Sequence, residues 1–444
     1  MIIQNTRQLG QTPERRIALR ILESGYRAID TQTVLQKSIF LKGAILHVQN
    51  ERIDCSAYRR IGIIGIGKCA YEAGAYMEKI LGKRIYGGLI LDMVQGKLKF
   101  LKSKKGTHPL PSARNIGFAK QIVAFTKSLD PQKDLLIAFV SGGGSSLFFI
   151  PENIDKRDFI QLTRNLQKGG ADIYELNCVR KHLSAVQGGK FARMLYPLPI
   201  CVLYFSDVVG NDPNVIASGP LYQDNTSNAD ARRILRKYGL WNAYKNKVRY
   251  FGETPKQKKY FTHVSQHVVL TNTTALRAMA QEAKKVRLRP RIVDARFHGD
   301  ANRAYATMKR MSQKDTKADV YIAGGETIVH VIGNGKGGRN QQTVLAALDK
   351  IKKNELFISA ASDGIDNTPY AGAIADLLTR EHARKLGLDS HVYVRNNNSY
   401  AFFSKTKDYI KTGKTGSNVA DLMILYKTPR AYATVSSPAD KTKK

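Results

Sequence analysis

The stretch IGIIGIGKCA, residues Ile61 to Ala70, constrains the fold of this chain more than any other segment. Ile61, Ile63, Ile64 and Ile66 form a β-branched run too short for a core helix, which predicts a buried strand of a parallel sheet. From Tyr71 to Leu81 the composition is helix-forming, with apolar residues three or four apart. A strand, a glycine turn and a helix in succession favour an anion, because free backbone N–H groups and the helix dipole both attract negative charge. Gly62 to Lys68 has P-loop spacing, but Cys69 stands where that motif needs Ser or Thr for Mg²⁺. Gly65, Gly67 and Ala70 also fit a loose dinucleotide fingerprint. A third reading needs no ligand: the glycines simply let helix and strand pack closely.

Similar turns recur along the chain. Strands are expected at Leu89–Met93, Leu135–Val140 and Ile200–Phe205, separated by helical stretches such as Ile116–Ser128 and Phe159–Gln167. Such alternation implies right-handed crossovers and a mostly parallel sheet. Thr12-Pro13 caps a preceding helix that carries Ile17, Ile21, Leu22, Ala28 and Ile29 at helical spacing and is expected on the outside of the sheet. From Asp224 to about Thr262 the chain turns polar and basic, and a second alternating region follows. Its strands are expected near Val268–Thr271, Arg291–Ala295, Val320–Ala323, Ile328–Ile332, Leu356–Ala360, Val392–Val394 and Leu422–Tyr426.

A length of 444 residues suits two or three domains. No apolar run reaches the ~20 residues of a membrane span, and MIIQNTRQLG lacks a secretory apolar segment, so a cytoplasmic protein is expected. Cys55, Cys69, Cys178 and Cys201 lack CxxC spacing, which suits reduced thiols. The chain carries 71 Lys and Arg against 36 Asp and Glu, a net charge of +35. That excess would attract nucleic acid. It is spread along the whole length, however, without aromatic-interleaved strands or helix-turn-helix or zinc-finger spacing, which argues against a nucleic-acid partner.

The residues that carry chemistry sit in turns after strands, where ligands bind in open α/β folds. Ser141, Gly142, Gly143, Gly144, Ser145 and Ser146 form a loop whose glycines let backbone wrap an anion while hydroxyls add hydrogen bonds. GxSxG is absent, so this is no nucleophile elbow. In VRKHLSAVQGGKFA, Arg180 is the better bidentate clamp for carboxylate or phosphate, Lys181 and Lys190 read as a solvated basic face, and His182 reads as structural. Asp207 follows the next strand and could hold a metal or receive a hydroxyl proton. Further on, Glu326 follows a Gly-Gly turn, while Gly335, Gly337 and Gly338 present Lys336 and Arg339 near a helix start, as stabilisation of a charged transition state would need. Asp363 and Asp366 follow another strand and could serve a metal or a ribose.

The ordered series GIGKCA, HPLP, SGGGSS, NCVRKHLSAVQGGK, SDVVGNDPNVIASGP, ETPK, GGET, GKGGRNQ, SDGID and TGKTGSNVADL resembles the class II glycerate 2-kinase family over about residues 14 to 428. The resemblance implies a two-domain α/β protein. Residues 1–240 would form a Rossmann-like, mostly parallel sheet flanked by helices, 241–262 a connection, 263–435 a MOFRL-type domain and 436–444 a tail, with the active site in the cleft between the domains. It implies phosphorylation of D-glycerate at C2 by ATP, with Mg²⁺ or another divalent cation. Lys68, Asp207 and Arg339 match the family's catalytic positions, with Asp207 either acting on the C2 hydroxyl or holding the metal. Gly67, Ser141 to Ser145, Arg180, Glu326 and Asp363 are assigned to phosphate or substrate binding. A homo-oligomer is compatible with the family. Ser112, Cys69, Asp300 and Lys414 depart from its usual Asp, Ala, Glu and Pro. The alternative enzyme class is an NAD(P)H-dependent hydroxypyruvate reductase, favoured only by GxGxxA at Gly65.

Overall fold

The computed structural model describes residues 1–206 and 210–428, which divide into two compact units. One comprises residues 31–271; the other joins residues 1–30 to the chain from Asn272 onward.

In the unit 31–271, the runs expected as strands become the centre of a six-stranded, all-parallel sheet. Its spatial order is Leu101–Lys105, Ile85–Asp92, Arg60–Ile66, Asp134–Ser141, Ile200–Phe205 and Val264–Leu270. Asp134–Ser141 and Ile200–Phe205 are buried at every position, as a sheet covered on both faces requires. Numbered in chain order, the strands run 3-2-1-4-5-6. The order therefore reverses between the strand ending at Ile66 and the strand ending at Ser141, and ligand-binding crevices open at such switch points. Ser112 caps the helix Ala113–Lys127 by accepting the Asn115 N–H. Ser and Asp are equally good caps, so this departure from the family pattern keeps its structural purpose. A three-stranded antiparallel meander, Ile39–Lys42, Ile45–Val48 and Glu51–Asp54, was not foreseen in the sequence pattern.

The other unit also holds six strands, ordered Pro290–Asp300, Val320–Ile328, Asp421–Lys427, Glu355–Ala361, Gly372–Ala375 and Tyr409–Ile410. Only the first pair is parallel; every other pairing is antiparallel. The expected strand at Val392–Val394 is instead the helix Ser390–Arg395, started by Asp389 accepting the His391 N–H. The expected strand at Ile328–Ile332 is only the end of Val320–Ile328, after which the chain leaves the sheet.

The boundaries differ from those expected at 240 and 263, for two physical reasons. Val264–Leu270 pairs with Ile200–Phe205 and so completes the parallel sheet. The segment expected as a connection, 241–262, contributes Tyr244, Val248 and Phe251 to a buried cluster of the same unit. At the other end, the Thr12-capped helix Pro13–Ala28 belongs with the C-terminal residues. Its fully buried Arg15 reaches Asp376 at 2.6 Å and Asp408 at 2.8 Å, and the Tyr26 hydroxyl donates to the Ala361 carbonyl at 2.9 Å.

Candidate active site

The described residues singled out in the sequence fall into two groups, one in each unit. In the unit 31–271 the turns at the sheet's switch point are laced together. The Lys68 N–H donates to the Gly142 carbonyl at 3.0 Å, and the Cys69 N–H donates to Ser141 Oγ at 3.2 Å. Gly67 has φ +118°, and a Cβ there would lie 2.2 Å from Ser141 Oγ, so only glycine fits between the turns. The Lys68 side chain lies along Gly143, where an added Cβ would stand 3.3 Å from Lys68 Cγ and 3.6 Å from His108 Nδ1. His108 Nδ1 is 3.0 Å from Ser146 Oγ, and Ser145 Oγ is 2.9 Å from Ser218 Oγ. Lys68, His108 and the serine loop are thereby gathered into one place.

The helix start beyond Lys68 is not open to an anion. Asp92, buried at the end of the neighbouring strand, accepts the Tyr71 N–H at 2.8 Å, the Val94 N–H at 3.3 Å and the Met93 N–H. The protein's own carboxylate fills the position that the P-loop and dinucleotide readings reserve for a ligand. Beside that filled helix start stand the Lys68 ammonium and the loop from Ser141 to Ser145.

No hydrogen bond or ion pair among the described residues engages the Lys68 ammonium or the Arg180 guanidinium. Burial pushes Arg180 down to about 10. Partial burial, then the charges of Lys68 and Arg180, push the His108 imidazole down to about 4. The group is a neutral imidazole near two cations that no acid among the described residues compensates, an environment that an incoming anion would stabilise.

Lys181 and Lys190 are not on a solvated face. Lys181 Nζ reaches Asp224 at 3.0 Å and Asn214 Oδ1 at 2.5 Å, and Lys190 Nζ reaches Glu152 at 2.5 Å and the Ser184 carbonyl at 2.9 Å; both are buried. They face inward because each has an acid within reach, which the sequence pattern could not reveal. His182 is structural as expected, buried with Nδ1 2.8 Å from the Cys178 carbonyl. Asp207 lies outside the described residues.

In the other unit, Arg339 opens the helix Arg339–Ala347. Its Nε donates to Asp421 Oδ2 at 2.6 Å, and its Nη2 donates to Asp421 Oδ1 at 3.1 Å and to Glu326 Oε1 at 2.9 Å. Against the cost of burial, Asp421 and then Glu326 hold this guanidinium above its ordinary value. Asp366 fills the helix start: its carboxylate accepts the N–H groups of Asn340 at 3.1 Å and Gln341 at 2.9 Å. Gly338 is needed for that contact, since a Cβ there would be 2.1 Å from the Asp366 carbonyl oxygen. Burial pushes both Asp366 and Asp421 up to about 6. Lys336 points elsewhere, with Nζ 5.0 Å from the centre of the Tyr400 ring.

These groups border a cavity of about 620 Å³, lined on its polar side by Glu326, Arg339, Asp363, Asp366 and Asp421 and on its apolar side by Ile328, Val331 and Ile365. Glu326 Oε2 and Asp363 Oδ2 are the carboxylate oxygens that the hydrogen bonds of the described residues leave unused. Bare carboxylates repel phosphate, so phosphate binding at Glu326 and Asp363 requires an intervening cation. His108, Asp421 and Asn340 were not singled out by sequence reasoning. Asp421 had one signal, as the acid that closes the TGKTGSNVAD segment and opens the last strand.

Residues 17–253 match a family model described as a domain of unknown function, DUF4147, and residues 319–421 match the MOFRL family. A D-glycerate 2-kinase from Thermotoga maritima is 34% identical over 379 residues, covering 82% of this chain and 90% of that protein. A glycerate 2-kinase from Pyrococcus horikoshii is 32% identical over 435 residues, covering 94% of this chain and 98% of the relative. A crystal structure of glycerate kinase from Thermotoga maritima superimposes with a TM-score of 0.81 at 30% identity, covering 93% of this chain and 99% of that one.

Proposed function

The chain belongs to the class II glycerate 2-kinase family, and from that premise we propose that it transfers the γ-phosphoryl group of ATP to the C2 hydroxyl of D-glycerate, giving ADP and 2-phosphoglycerate. The observation that carries the reading is the pair of cations, Lys68 and Arg180, without an acidic partner among the described residues and beside a glycine loop at the switch point. Phosphoryl transfer asks the protein mainly for positioning and for charge to meet charge.

Lys68 neutralises oxygens of the transferred group. Arg180 offers a planar fork to the carboxylate of glycerate, the contact for which arginine is best suited. The backbone and hydroxyls of Ser141 to Ser145, with Gly67 keeping the turns close, orient the anion. Asp207 orients or deprotonates the C2 hydroxyl, or binds the metal. Arg339 is preset by Asp421 and Glu326 and adds positive charge for the transition state. Glu326 and Asp363 offer hard oxygen donors of the kind Mg²⁺ takes while keeping most of its waters. When bound, that ion offsets charge on the phosphates of ATP.

The reductase alternative requires a carboxylate at the end of the second strand to bind a ribose. Asp92 occupies that place but is committed to three backbone N–H groups, which favours the kinase. Among the described residues no helix is long and apolar enough to cross a membrane. Purified protein with ATP, Mg²⁺ and D-glycerate should release ADP and give a phosphate ester at C2, identified by NMR. Oxidation of NADH by hydroxypyruvate with no ATP turnover would overturn the reading.

A further inference from the structure

We propose that Glu51, Cys201 and His267 form a binding site for a zinc-class divalent ion, separate from every residue assigned to phosphoryl transfer. The three donors come from three strands. Cys201 and His267 lie on adjacent parallel strands whose register pairs Cys201 with Ser265 and Leu203 with His267. Side chains two residues apart share a face, so this register puts Cys201 and His267 on the same side of the sheet as diagonal neighbours. Glu51 opens the last strand of the antiparallel meander. Its Oε2 is 2.5 Å from His267 Nε2, and one donor atom from each of the three residues lies within 4.8 Å of the other two.

The spacing suits a small tetrahedral ion. Zn²⁺ holds sulfur at ~2.3 Å and nitrogen or oxygen at ~2.0 Å, so its ligand atoms stand roughly 3.3–3.6 Å apart. The Glu51–His267 contact, at 2.5 Å, is shorter than that, and opening it by about 1 Å asks for a small rotation of the partly exposed Glu51 side chain. Cys201 is buried behind the pair, while Glu51 and His267 reach solvent, so an ion would enter from their side. On binding, the Cys201 S–H bond breaks, its proton leaves to solvent and an S–metal bond forms. The His267 proton, which Nε2 shares with Glu51 in the metal-free chain, passes by way of solvent to Nδ1, so that the Nε2 lone pair is free for the metal. A thiolate, an imidazole and a carboxylate together select zinc over the hard ions Mg²⁺ and Ca²⁺, and three protein ligands leave a fourth position for water.

The charge balance points the same way. In a chain with 71 basic residues, Glu51 has no Lys or Arg partner among the described residues; its one side-chain bond is to His267. An ion here would tie the meander to two strands of the parallel sheet, so its binding should also stabilise the fold.

The full chain, freed of metal by a chelator and titrated with Co²⁺, should bind one equivalent with a thiolate-to-cobalt charge-transfer band in the near ultraviolet. Zn²⁺ should displace it and raise the melting temperature. Cys201→Ser should abolish the band, and Glu51→Gln and His267→Gln should each weaken Co²⁺ binding at least ~10-fold. Melting of the metal-free variants at the wild-type temperature shows that they fold, and Glu51→Gln, on the solvent side, keeps the test independent of core packing. Absence of the band, its survival in Cys201→Ser, or wild-type affinity in both Glu51→Gln and His267→Gln would overturn the proposal and leave the Glu51–His267 contact as a simple ion pair.

Discussion

Two lysines of the unit 31–271 should fail in opposite ways when replaced by methionine, which keeps most of the side-chain volume. Lys181 is buried against Asp224, which is itself fully buried and also accepts from Thr226 Oγ1 at 2.7 Å and Thr254 Oγ1 at 3.0 Å. Burial lowers the Lys181 ammonium pKa, and Asp224 pulls it back. Removing one partner of a buried pair costs ~3–5 kcal/mol, because the other charge is left without compensation. The two threonines and Lys256, 3.9 Å from Asp224, should hold the loss near the lower end. That is still a large share of the ~5–15 kcal/mol by which a domain is stable. Lys68 has no acid to strand among the described residues, so Lys68→Met should change stability by no more than about 0.5 kcal/mol. Its loss should instead appear in turnover, which should fall ~100- to 1000-fold, equivalent to ~2.7–4 kcal/mol of transition-state stabilisation. Urea unfolding, together with ADP release on D-glycerate and ATP, measures both quantities for both variants. If Lys68→Met destabilises the protein as much as Lys181→Met, or keeps a third of the wild-type rate, the division of these lysines by their acid partners is wrong.

Arg180→Ala should raise KM for D-glycerate ~100-fold while KM for ATP stays within a factor of about three, with partial rescue by free guanidinium; an effect on ATP alone would contradict carboxylate binding. Glu326→Gln and Asp363→Asn should each raise the Mg²⁺ concentration for half-maximal rate ~10-fold, measured at fixed free ATP; unchanged metal dependence in both would remove them as metal contacts. Asp366 and Asp421 titrate near 6 in the folded chain, above the ordinary carboxylate value of 3.8. The folded state therefore takes up protons first, so their contribution to stability is fully present below 3.8 and is lost as pH rises through about 6. The stability of Asp366→Asn relative to wild type should accordingly rise from pH 4 to pH 7 in urea titrations, and a fall would reverse the assigned direction. Gly67→Ala should destabilise by at least ~2 kcal/mol, because its Cβ meets both a left-handed φ and Ser141; a wild-type melting temperature would show that the turns can separate.

The parts of the fold legible in the sequence were those set by continuous burial. Ile61–Ile66, Leu135–Val140 and Ile200–Phe205 announced themselves as strands because both faces of that sheet are covered, and Thr12 marked a helix start through a local hydrogen bond. The meander escaped because its strands are four residues long and half-exposed, which leaves little pattern to read. Direction escaped as well in the other unit. Strand and helix alternate there as in a parallel sheet, yet Asp421–Lys427 inserts between Val320–Ile328 and Glu355–Ala361 and runs antiparallel to both. Insertion of the last strand is a tertiary choice that no local spacing encodes.

The candidate site divides along the same line. A cation on a glycine turn is visible in the sequence; whether that cation already has an acid is not. Lys181 and Arg180 are neighbours in one motif, yet one is neutralised by Asp224, 43 residues away, and the other by nothing among the described residues. Arg15 is tied to Asp376, 361 residues away, and Lys190 to Glu152 across 38. The buried acids Asp134, Asp224, Asp376, Asp408 and Asp421 are each already held by a cation. A cation left unpaired at a switch point is then informative in a way that the +35 total is not. Exposed surplus charge can be solvated anywhere on the surface, but a partly buried ammonium or guanidinium without an acid carries a desolvation cost that an anionic ligand relieves. By that reasoning Lys68 and Arg180 are the pair to which glycerate or phosphate should come, and Arg339, already held by two carboxylates, is the cation that depends on its own protein for its orientation.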